Sequence, residues 1–251
     1  MKRILLFLLM AAFTGDGYTQ NAGLLIKQAD SLEAALNETA AYTKFKEALR
    51  IDPGNFYSLW KCSELCSRIG FRQPAKEKKA DYYTAGRIYA ETAIKVKPDA
   101  ADGYYALSLA MGRRAQMESG NDRIRAVRQI KSNAEKALKI NPNHGRAWHV
   151  LGKWHYEVSN LNGVEKAALK IFYGGLPKAS LKDAIAAYEK ARTLEPVFAL
   201  NNLELAKACY KDGQKEKAIA LLKAIPAMPA KTEDDTRIKT EGKTLLDKWT
   251  K

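Results

Sequence analysis

Four times along this chain, a large residue is followed three positions later by a second apolar one and then at once by a small one. The copies are Leu59-x-x-Cys62-Ser63, Tyr104-x-x-Leu107-Ser108, Trp148-x-x-Leu151-Gly152 and Asn202-x-x-Leu205-Ala206. Each is answered downstream by a second spacing: Gly86-x-x-x-Ala90-x-x-Ala93, Ile130-x-x-x-Ala134-x-x-Ala137, Ala184-x-x-x-Tyr188-x-x-Ala191 and Ala218-x-x-x-Leu222-x-x-Ile225. A weaker unit precedes them, with Leu25, Ala29, Leu32 and Leu36 at helical spacing and Ala41-x-x-x-Phe45-x-x-Ala48 after it. Prolines at 53, 98, 142, 196 and 226 close the units. Spacings of three and four are those of one helix face, and proline ends a helix. The chain therefore predicts five pairs of helices. No single repeat can bury its apolar face alone, so the pairs must stack.

The small residues carry the packing. Ser63, Ser108, Gly152 and Ala206 on first helices, with Gly86, Ala184 and Ala218 on second helices, allow close approach. Large residues then fill the surrounding space. Ile130 is bulky where the others are small, which predicts a slightly wider third pair. Trp148 is read as core. Extra sequence lengthens Pro74–Lys97 and Asn121–Ile140 into single long helices. In the fourth unit it gives a short helix over Gly163–Tyr173, broken by Gly174-Gly175-Leu176-Pro177. Ser180-x-x-Asp183 restarts the chain with a capping box in which Asp replaces the usual Glu. Thr232 is expected to cap a last helix whose Ile238, Leu245, Leu246 and Trp249 cover the exposed end of the stack.

The first residues are of another kind. Lys2-Arg3, an apolar run from Ile4 to Phe13 and the small, polar Thr14-Gly15-Asp16-Gly17 have the layout of a secretory signal peptide, too short for a membrane span. The expected division is a signal peptide over 1–19, a repeat domain over 20–230 and a capping helix over 231–251. The mature chain has no transmembrane segment and would be exported across the inner membrane, to the periplasm or beyond. Cys62, Cys66 and Cys209 are odd in number, and Cys62 and Cys66, four apart, point from one helix face at the same neighbour. They read as buried small hydrophobes, not a disulfide framework.

These spacings resemble the tetratricopeptide (TPR) repeat, in units longer than its usual length of about 34 residues. The implied fold is an all-α, TPR-like right-handed superhelix of about five helix pairs, with helical insertions and a C-terminal cap. More narrowly, Gly152-Lys153-Trp154-His155-Tyr156, Val164-Glu165-Lys166 and Phe172-Tyr173-Gly174-Gly175-Leu176-Pro177, with Ala184 to Ala191, resemble the regulator-of-microtubule-dynamics family. The match runs over roughly residues 35 to 215. The resemblance implies a helical domain acting through protein contacts, with no catalytic residues and no cofactor.

The residues agree. His144, His149 and His155 lack metal-ligand spacing, and no nucleophile elbow, P-loop or dinucleotide fingerprint is present. An enzyme and a metal site are both disfavoured. The net charge is +14. Removing residues 1–19 takes away Lys2, Arg3 and Asp16, one net positive charge, and leaves +13. Without a recognition motif this does not point to nucleic acid. In a stack of this kind the first helices line the concave face. The register places Tyr57, Trp60, Tyr105 and Arg146 there, then His149, Lys153, Tyr156, Lys207 and Tyr210. Aromatic and basic side chains dominate, as at protein-binding surfaces. The expected function is therefore non-catalytic binding of a protein or peptide, acidic by preference. The alternative is a structural or membrane-surface protein using an outer basic patch of Arg113, Arg114, Arg123, Arg125, Arg128 and Lys131. The sequence leaves the oligomeric state open.

Overall fold

The computed structural model describes residues 15–251, with side chains from Asn21 onward. The basic and apolar start of the expected signal peptide lies outside the described residues. The first helix runs across the expected Thr19–Gln20 junction.

Twelve α-helices form the described chain, and the residues between them form no strand. They pair as α1 (Gly15–Ala34) with α2 (Glu38–Ile51), α3 (Phe56–Arg72) with α4 (Lys76–Val96) and α5 (Ala101–Ala115) with α6 (Gly120–Ile140). Helix α7 (Gly145–Ser159) pairs with α9 (Leu181–Leu194) across the inserted α8 (Gly163–Tyr173). The fifth pair is α10 (Ala199–Lys211) and α11 (Lys215–Ala224), followed by α12 (Asp235–Trp249). The long second helices and the span of the insertion agree with the pattern of the sequence. None of the described helices is long and apolar enough to cross a membrane.

The small positions do what their spacing requires. A Cβ on Gly152 would lie 2.7 Å from the ring of the fully buried Tyr188, and one on Gly86 would lie 3.2 Å from Cys66 Cβ. Ile130 is accommodated by a glycine on the facing helix, since its Cδ1 is 3.9 Å from where a Cβ on Gly112 would stand. The three cysteines are free and buried. Asn37, Asn55, Asn162 and Ser180 cap the helices that follow them, and Ser180 accepts from the Asp183 amide at 3.0 Å.

Two local expectations are corrected. Trp148 is only half-buried, with its indole N–H donating to the Pro142 carbonyl at 2.8 Å. It stands in the first turn of α7, facing the loop that ends the previous unit. The buried tryptophan is Trp154, 3% exposed, whose indole donates to the Val127 carbonyl at 2.8 Å. Thr232 does not cap the last helix. Asp234 precedes it, and Asp235 turns back to accept from the amides of Lys231 and Thr232, at 2.6 and 2.8 Å.

Helix α12 lies against α10 and α11. Ile238 is buried with Leu222 and Ile225, and Leu245, Leu246 and Trp249 cover the same cluster. Its leading residues reach the other end of the molecule.

Candidate binding groove

The inner face of the superhelix is built from α3, α5, α7 and the turn between α9 and α10. Residues 231–238 cross in front of it and close it into a cavity of about 430 Å³. At the far side this strap meets α2 and α3. Glu233 accepts from the Glu38 amide at 2.7 Å and returns its own amide to Glu38 Oε1 at 3.3 Å. Arg72 holds Glu233 at 3.1 Å and Asp234 at 3.2 Å. Arg237, a turn further on, lies over the Phe71 ring at 4.9 Å. The solenoid is thereby tied from its last pair back to its first.

Charge within the groove is matched across repeats. Glu38, fully buried, binds Arg68 at 3.1 Å and Arg72 at 2.7 Å. Glu33 of α1 binds Lys61 and Arg68, at 2.6 and 2.5 Å. Glu64 accepts from the Tyr105 hydroxyl at 2.9 Å. Burial opposes ionisation of Glu64, but Arg68, Lys61 and Arg146, with the Tyr105 hydroxyl, overcome it and hold the carboxyl well below the usual range. Arg146 pairs with Glu195 at 2.6 Å and stacks over Phe198 at 3.8 Å. Lys153 and Lys207 share Glu204, at 2.7 and 2.9 Å, and Lys207 also reaches Glu241 of α12 at 2.6 Å. Burial again opposes the charge on Glu204, and the two lysines lower its pKa nonetheless.

Arg113 differs from these. Burial lowers its pKa, its Nε has no hydrogen-bond partner, and no carboxylate of the described residues comes within ion-pairing distance. Its guanidinium lies over Phe71 at 4.5 Å and lines the cavity.

The structure gathers Tyr105, Arg146 and His149 around the cavity, as the repeat register requires. His149 is a buried packing residue: its Nδ1 donates to Asn201 at 3.1 Å, and burial pushes its pKa down to about 4. Lys153 stands over Tyr156 at 5.8 Å in the network just described. Tyr210 is covered by Trp249, stacked at 3.9 Å. Tyr57 and Trp60 meet edge to face near the first pair, where the Tyr57 hydroxyl donates to Asp30 at 2.8 Å.

Two expectations about charge are corrected. The groove is charge-balanced rather than basic, because Glu33, Glu38, Glu195 and Glu204 enter it from neighbouring helices and turns. The outer patch is also divided. Arg113 turns into the cavity, Arg114 pairs with Glu118, and Lys131 pairs with Glu135 beside the Trp154 ring. Arg123, Arg125 and Arg128 stay exposed on α6. The sequence placed Arg113 on the outer face, and it singled out neither Arg68 nor Arg72. The available signal was the i, i+4 row Glu64, Arg68, Arg72 on one helix face.

A right-handed stack of paired helices with a continuous inner face defines a TPR-type repeat protein. A TPR protein of Thermus thermophilus has the same architecture, with a TM-score of 0.67 at 16% identity over 90% of this chain and 98% of that one. Pseudomonas aeruginosa pilF gives 0.56 at 12% identity over 93% and 90%. The profile described as regulator of microtubule dynamics protein 1-3 matches residues 25–250, and the chain belongs to that family. It is 27% identical over 231 residues to regulator of microtubule dynamics protein 3 of Xenopus laevis, covering 90% of this chain and 47% of that protein. It is 23% identical over 190 residues to protein 1 of Caenorhabditis elegans, covering 76% and 84%. The chain thus spans less than half the length of the Xenopus relative.

Proposed function

We propose that this protein is a non-catalytic scaffold that holds a protein or peptide partner in its concave groove, with a preference for acidic segments. One observation carries the proposal. The groove already receives an acidic stretch, Glu233-Asp234 of its own chain, seated by the Arg72 guanidinium and the Glu38 amide. Arg113, desolvated and without a carboxylate partner, supports the same preference. The relatives are named as regulators, and contact with another protein is one way to regulate. That part of the name is what the proposal takes over.

The test uses a labelled peptide with the sequence of residues 230–237. The tethered strap has an effective concentration of about millimolar order, so the wild type should exclude the peptide. A chain carrying Glu233→Gln and Asp234→Asn should bind it at least about tenfold more tightly. Adding Arg72→Gln, which removes the guanidinium that seats the strap, should remove that gain. Failure of the neutralised chain to bind, or binding indifferent to Arg72→Gln, would overturn the reading. Export belongs to the same proposal and rests on Lys2-Arg3 and the apolar Ile4–Phe13. Cell fractionation and N-terminal sequencing of the mature chain test it, and a cytosolic chain still starting at Met1 would refute it.

A further inference from the structure

Helix α8 is fastened at both ends and bare along its length. Its start is closed by a capping box between Asn162 and Glu165, and its end by Gly174 in the left-handed conformation, φ 68°. Arg128 of α6 donates to the carbonyls of Tyr173 and Gly175, the latter at 2.6 Å. None of the helix is buried, and Val164, Ile171 and Phe172 are 80%, 75% and 73% exposed. At 3.6 residues per turn these three share one arc, and Lys166 and Lys170 lie on the opposite side of the helix. The start of α6 lies alongside, since a Cβ on Gly120 would be 3.7 Å from the Tyr173 hydroxyl. Arg123, Arg125 and Arg128 are exposed there. Across residues 120–130 and 160–182, seven Lys and Arg face only two carboxylates, Asp122 and Glu165.

We propose that α8 and the first half of α6 form a docking surface for an anionic lipid membrane. Val164, Ile171 and Phe172 enter the boundary between headgroups and acyl chains, while the surrounding cations pair with lipid phosphates. An apolar arc on one side of a short helix, with lysines on the other, is the composition of helices that lie in a membrane interface. The neighbouring arginines supply the attraction that anionic leaflets exert on clustered cations. A protein partner fits less well. The apolar part of the surface is three side chains on a helix about 16 Å long, whereas a stable protein interface has an apolar core within roughly 800 Å² per side. The proposal stands apart from the groove and its occupant.

Co-sedimentation of the full chain with vesicles tests it, using phosphatidylcholine alone or in equal parts with phosphatidylglycerol. Binding is expected on the anionic vesicles, weakening as salt rises. Ile171→Ser with Phe172→Ser should weaken it by about tenfold or more. Arg123→Ser with Arg125→Ser should weaken it on the anionic vesicles as well. All four side chains are exposed, so both variants should melt as the wild type does. Unchanged binding in the Ile171/Phe172 variant would overturn the proposal. So would equal binding to both vesicle types, which would trace to the apolar run Ile4–Phe13. A wild-type dimer that the same variant dissolves would make a second copy of the chain the occupant, and would also overturn it.

Discussion

Replacing Glu38 by alanine should loosen both the first helix pair and the strap that closes the groove. The carboxylate is fully buried and accepts from Arg68 at 3.1 Å, Arg72 at 2.7 Å and the Glu233 amide at 3.3 Å. Removing one partner of a buried ionic network costs about 3–5 kcal/mol, because the remaining charges stay desolvated. Glu33, Glu64, Glu233 and Asp234 remain beside the two arginines, which favours the lower end, about 3 kcal/mol. For a chain of this size that corresponds to a fall in Tm of roughly 6–12 °C, measurable by circular dichroism. Glu38→Gln keeps the volume and part of the bonding, and should lose about 1–2 kcal/mol. Hydrogen exchange supplies the second reading: the amides of Glu38 and Glu233, which bond across the closure, should lose protection in Glu38→Ala while the amides within α9 keep theirs. A Glu38→Ala chain within about 0.5 kcal/mol of wild type, with Glu233 still protected, would refute the closed-ring account.

Two further outcomes follow from burial. Trp154→Ala should cost about 3–5 kcal/mol, and Trp148→Ala less, since Trp148 is only partly buried at the edge of its cluster; equal losses in chemical denaturation would contradict the assignment of the buried indole. His149, with a folded pKa pushed down to about 4, takes up its proton more readily when unfolded, at about 6.5. Its contribution is therefore complete above about pH 6.5 and is lost as pH falls toward about 4, by about 3 kcal/mol in all. His149→Gln should flatten the stability–pH curve in that window, and an unaltered slope would show that another group is responsible.

What the sequence determined by itself was everything that depends on neighbours three and four residues apart. The span Gly163–Tyr173, the long second helices, the small residue at Gly152 and the Ser180 cap could all be read directly, because helix faces, caps and breaks are local. Pairing of consecutive helices followed from the same periodicity. The closure of the superhelix did not. Glu38 and Glu233 meet across 195 residues, and whether they meet depends on the small rotations accumulated at every interface between pairs. That sum also decided which cations stayed exposed. Arg113 and Arg123 are alike in sequence, but one turns into the cavity over Phe71 and the other remains on the surface of α6. Trp148 set the phase of the repeat, yet Trp154 became the buried indole once α6 came to lie against α7. The tertiary structure alone converted a row of apparently basic positions into a charge-balanced groove, by bringing Glu33, Glu195 and Glu204 within reach of them.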